Sequence, residues 1–101
     1  MADKIVRIRL LPNGYTAMPK GARIVHVYEE LEGEPPTLVI IGDSVEDKRH
    51  WHISILAPGW AVPPGYDYVA TYETKSDGIR LVFAQEKQTW NSLKPGETSP
   101  S

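Results

Sequence analysis

Two histidines flank a tryptophan in the stretch Lys48-Arg49-His50-Trp51-His52-Ile53-Ser54-Ile55-Leu56. Residues two apart on a strand point to one face, about 7 Å from each other. His50 and His52 therefore have the spacing of a metal-binding pair that awaits a third donor from a neighbouring strand. The third histidine of the chain, His26, also falls in a strand-like run. Three chemistries follow from this set. His26, His50 and His52 together would make an open, zinc-type catalytic site. The same histidines with Tyr28 and Tyr72 would make a sheet face that captures a small ligand such as a nucleotide. Alternatively, they are half-solvated residues of an ordinary sheet. No flanking carboxylate motif or glycine framework supports the metal, so no cofactor is expected and the solvated face is the simplest reading.

The other candidate is apolar. Ala57-Pro58-Gly59-Trp60-Ala61-Val62-Pro63-Pro64-Gly65-Tyr66 is the longest irregular segment before the C-terminal tail. A tryptophan on a proline-stiffened loop loses little entropy on binding and offers a large contact area, the properties of an interface anchor. Trp60 would be that anchor, with Pro58, Pro63 and Pro64 holding the loop and Tyr66 and Arg49 as neighbours. The competing possibility is that Trp60 folds under the loop and plugs the end of the sheets. Trp51 differs, because its register beside Ile53 and Ile55 makes it core.

Enzymatic alternatives are thin. Ser44, Ser54 and Ser76 lack the Gly-x-Ser-x-Gly elbow that exposes a nucleophile. Neither Pro19-Lys20-Gly21-Ala22-Arg23 nor Ile40-Ile41-Gly42-Asp43 has the glycine spacing of a phosphate loop. The acidic run Glu29, Glu30, Glu32 and Glu34 reads as a solvated loop. Arg7, Arg9, Arg23 and Arg49 could join Tyr28, Tyr68 and Tyr72 in a basic-aromatic surface. Arginines on strand exteriors also keep edge strands from pairing with other chains, and this protective role is preferred.

Period-two alternation and β-branched residues dominate the elements that must position these groups, and no helical repeat competes. Six strands are predicted, over residues 4–11, 23–30, 37–42, 48–56, 66–74 and 79–86. In the second, Val25 and Val27 oppose Ile24, His26 and Tyr28. In the fifth, Tyr68, Ala70 and Tyr72 share a side. The third is apolar throughout, as a central strand should be. Lys75-Ser76-Asp77-Gly78 is the clearest hairpin signal, and Met18 to Gly21 reads as a short punctuated lead-in to the second strand. The expected fold is all-β, a compact antiparallel sandwich or partly open barrel of about six strands. Residues 1–90 would form a single domain, with Trp90 and Leu93 latching back on the sheet and 91–101 a flexible tail.

Composition narrows the class. Of the 101 residues, 41% are hydrophobic and 24% charged, as in ordinary folded chains, and there is no cysteine for disulfides or thiolate chemistry. A formal charge of −2 provides no global field for nucleic acid, which argues against it as a partner. No apolar run is long enough to span a bilayer, so a cytoplasmic location without membrane contact is expected.

Pro19-Lys20-Gly21-Ala22-x-Ile24, the apolar strand ending at Asp43, the basic-aromatic strand from Arg49, and Leu81-Val82-Phe83 together resemble a family of small proteins common in phage and prophage genomes. The resemblance spans about Met18 to Glu86. The loop departs from it, since the family often has Thr-Gly-His where this chain has Ala57-Pro58-Gly59-Trp60. The resemblance implies a phage-type origin, with the host cytoplasm as location, and no mechanism. The leading expectation is a non-enzymatic accessory protein that binds a host or phage macromolecule through a protein–protein contact. Self-association through a sheet face or edge is also expected, because both faces of the second and fifth strands carry apolar or aromatic residues.

Overall fold

The computed structural model describes residues 3–43 and 45–87. The tail and the proposed latch by Trp90 and Leu93 lie outside the described residues. Seven strands form: β1 (Lys4–Arg9), β2 (Tyr15–Pro19), β3 (Arg23–Tyr28), β4 (Thr37–Gly42), β5 (Lys48–Leu56), β6 (Asp67–Glu73) and β7 (Ile79–Lys87). They pair, all antiparallel, into a three-stranded sheet ordered β1-β4-β3 and a four-stranded sheet ordered β2-β5-β7-β6. No helix occurs among the described residues, hence none is long and apolar enough to cross a membrane. The all-β antiparallel sandwich expected from the sequence is the fold.

The core lies between the two sheets and is built by alternation. Leu38 and Ile40 of β4 point inward with Val27 of β3, and meet Met18, Ile53, Val82 and Ala84 from the four-stranded sheet. Leu38 and Val82 are fully buried. Each such aliphatic side chain contributes about 1.5–3 kcal/mol by leaving water. Trp51 and Ile55 pack against this cluster while His50 and His52 take the opposite face of β5, as the zigzag of that segment demands.

The strand that sequence reading leaves out is β2. It is short, its Ala17-Met18-Pro19 centre has little strand propensity, and Pro19 cannot donate to a ladder. Its position at the end of an edge strand makes the proline harmless. The signal that marks the strand is Asn13-Gly14 just before it. Gly14 has φ 81°, donates to Leu11 O at 2.9 Å, and accepts from Ile53 N–H at 2.8 Å. A Cβ there would stand 2.6 Å from Ile53 O, so only glycine fits.

Two bulges correct the predicted faces. One interrupts β3 between Ile24 and His26, the other β6 between Tyr68 and Ala70. Each adds a residue and so shifts the alternation by one position. In β3, Ile24 and Val27 both face the core, and Val25, expected to align with Val27, is exposed. In β6, Tyr68 lies opposite Phe83 on the outer face while Ala70 and Tyr72 turn inward, so the three do not share a side.

Candidate functional site

β5 and β6 both run antiparallel to β7, which lies between them. They are therefore parallel, and the segment 57–66 must recross the sheet to join them. It starts with a turn in which Pro58 presets its own backbone angle and Gly59 takes φ 93°, closed by Trp60 N–H donating to Ala57 O at 3.1 Å. Positive φ at the third position is what a type II turn requires, and a glycine supplies it.

The far end of the segment is clasped to the outer face of the four-stranded sheet. Tyr66 Oη lies 2.6 Å from His52 Nδ1, and His52 Nε2 lies 3.2 Å from Asn13 O. A carbonyl can only accept, so Nε2 carries the proton, and in the neutral ring Nδ1 accepts from the Tyr66 hydroxyl. Gln85 Nε2 donates to Gly65 O at 3.2 Å. Lys87 Nζ sits 5.4 Å from the Tyr66 ring centre and donates to Gln85 Oε1. Tyr15 of β2 packs on the His52 ring with 4.6 Å between centres. His52 thus ties together the β1–β2 turn, β5 and the crossing segment. Asn13, Tyr15, Gln85 and Lys87 are the members of this clasp that sequence reading missed. Asn13 and Tyr15 lie far in the chain from Gln85 and Lys87, and only the strand order brings the two pairs together.

Between turn and clasp, Trp60 is 64% exposed and Val62 is exposed beside it in sequence. Trp60 does not plug the sheets. Pro63 is half-buried, while Pro58 and Pro64 are exposed. Arg49 is not a neighbour of the turn. It shares the face of Met18 and Trp51 at the opposite end of β5 and pairs with Glu86 at 3.9 Å. From Arg49 to Leu56 the strand covers roughly 23 Å.

The histidine constellation does not assemble. His26 lies opposite Val39 on the outer face of the three-stranded sheet, whereas His50 and His52 are on the outer face of the other sheet. The whole sandwich separates them. No group of three or more histidine, aspartate or glutamate side chains among the described residues is arranged to hold a metal. Tyr28 stays with His26, their rings stacked at 5.9 Å. Tyr72 is in neither place: it is buried on the core side of β6. The five residues proposed as one ligand face occupy three surroundings, because the local pattern assigns faces but not sheets.

A groove of about 700 Å³ opens where the β1–β2, β3–β4 and β6–β7 connections meet. Leu10, Pro36 and Ile53 are among its apolar lining residues, and Glu29, Tyr72 and Arg80 are among its polar ones. Glu29 staples two of these connections by accepting from Gly33 N–H at 3.1 Å and from Lys75 N–H. Arg80 is held by its own hairpin, with Asp77 at 3.7 Å and two carbonyls at 2.9 Å. Burial, with Glu29 adding to it against the opposing pull of Arg80, pushes the Tyr72 hydroxyl above the usual tyrosine range. That hydroxyl makes no hydrogen bond among the described residues.

No protein-family model matches the chain, and neither a curated protein nor a solved structure matches it.

Proposed function

We propose that this chain is a non-enzymatic binding module that presents Trp60 to a protein partner. The exposure of a tryptophan on a braced turn is the observation that carries this reading. Exposed indoles bury a large area on association, and a loop already clasped at Tyr66 has less freedom to lose than a slack one. The partner would be a host or phage protein met in the host cytoplasm, in keeping with the family resemblance of residues 18–86. The test is quantitative co-purification from host cells, with the captured protein named by mass spectrometry and its affinity then measured with purified components. Trp60→Ala should weaken that affinity at least tenfold, and His50→Ala should leave it unchanged. An affinity indifferent to Trp60→Ala overturns the assignment.

The groove at the end of the sandwich supports a second reading, capture of a small ligand. Its size suits such a molecule, and the buried Tyr72 hydroxyl offers it a hydrogen bond. A nucleotide panel followed by thermal unfolding tests this, since a ligand that binds only the folded state raises Tm by mass action. No shift at millimolar nucleotide would remove nucleotides from consideration.

A further inference from the structure

The outer face of the β1-β4-β3 sheet is a grid of nine side chains fixed by strand register. Ile5, Ile41 and Arg23 form one row, Arg7, Val39 and His26 the next, and Arg9, Thr37 and Tyr28 the third. The grid has an apolar centre on β4, arginines on both edge strands, and a ring pair on β3. His26 and Tyr28 stack at 5.9 Å with 23° between planes, and His26 is exposed. Glu30 borders the grid, accepting from Thr37 Oγ1 at 3.2 Å and lying 3.8 Å from Arg9. The nine positions themselves hold three arginines and no carboxylate, in a chain whose formal net charge is −2. The charge is sorted by location, which a total cannot reveal.

We propose that this face binds single-stranded nucleic acid, with Arg7, Arg9 and Arg23 taking phosphates and the His26–Tyr28 pair taking bases. Arg7 and Arg9 project from β1 two residues apart, about 7 Å, close to the phosphate step of an extended single strand. A hollow of about 480 Å³ lies beside them, lined by Ile5, Val6, Arg7, Arg9, Thr37 and the Glu30 carboxylate that Arg9 faces. Tyr28 and Glu30 both favour the charged form of the Arg7 guanidinium, which remains exposed. Edge protection requires charge beside an unpaired edge. It does not require a stacked ring pair, His26 exposed and Tyr28 half-buried, on the strand across the sheet. Stacking on rings combined with a basic track is how proteins grip single strands without reading sequence. Acidic peptides would use the arginines but gain nothing from the rings.

The experiment uses fluorescence anisotropy of the full chain with a labelled oligothymidine of about twelve nucleotides, from about 50 to about 200 mM salt. Binding should weaken steeply with salt. Arg7→Ala and Arg9→Ala should each flatten the slope by roughly 0.7 in log–log units. Tyr28→Ala should weaken binding about tenfold or more, with Tyr28→Phe close to wild type. His26→Ala tests the rings at a residue whose exposure makes misfolding no explanation for a loss. Lys20→Ala, outside the grid, should change nothing. No binding at low salt overturns the proposal. So does competition by polyglutamate as strong as that by unlabelled oligothymidine, or binding unaffected by both Tyr28→Ala and His26→Ala, since either would mark the face as one for acidic proteins.

Discussion

The two outer faces of this sandwich start from similar material and end differently. Each carries histidine and tyrosine on adjoining positions with basic residues nearby. On the four-stranded sheet, the parallel relation of β5 and β6 forces the chain back over the face, and His52, Gln85 and Lys87 are used to hold it there. On the three-stranded sheet, β4 is joined in sequence to β3 and pairs directly with it. No segment need recross, and Arg23 and His26 remain exposed. What decides whether a polar strand face becomes an internal fastening or an open surface is the connection between strands, not the composition of the strands.

Four changes sharpen or break that comparison. The largest is Leu38→Ala, which removes buried volume from the core beneath both faces. It should cost about 2–5 kcal/mol in urea unfolding and take both outer faces down in one transition. Separate transitions for the two sheets would break the picture of a shared core. Next is Trp60→Ala, with about 2 kcal/mol expected from partner affinity and within about 0.5 kcal/mol from stability. Oligothymidine binding on the opposite face should not change. Tyr66→Phe follows, removing the hydroxyl that His52 accepts from; about 1 kcal/mol of stability should go, and hydrogen exchange should rise in residues 57–66.

The smallest effect is Tyr72→Phe. The hydroxyl it removes has no partner among the described residues, so unfolding at pH 7 should be nearly unchanged or slightly more costly. Its consequence lies at high pH. A tyrosine whose folded pKa is raised contributes stability that is intact below the unfolded value near 10 and is lost as pH climbs through the folded value. Wild-type stability should therefore fall above about pH 10, and less so in Tyr72→Phe. Equal alkaline losses in the two proteins would show that folding does not hold the Tyr72 hydroxyl protonated.

Much of this was legible in the chain. Alternation located six strands with errors of one or two residues, and it oriented Trp51 inward and His50 and His52 outward. It failed where one residue disturbs the period. The bulges at Val25 and Val69 reversed the faces assigned beyond them, and Pro19 concealed a strand whose edge position excuses it. The sites were less legible, because they depend on which strands are neighbours. Nothing local tells His26 that it belongs to another sheet, or gathers Arg7, Arg9 and Arg23 while sending Arg49 to the core side. Whether Trp60 lies above or below its loop was open for the same reason.

The crossing segment also imposes an order of events. Residues 57–66 precede β7 in the chain yet lie over it, so the bracing of the bridge by Gln85 and Lys87 can form only once β7 is seated. Closure at Tyr66 then belongs to the last steps of assembly. Loosening that bridge should hasten the native state's escape while leaving the rate of its formation almost untouched, as stopped-flow relaxation of Tyr66→Phe would reveal.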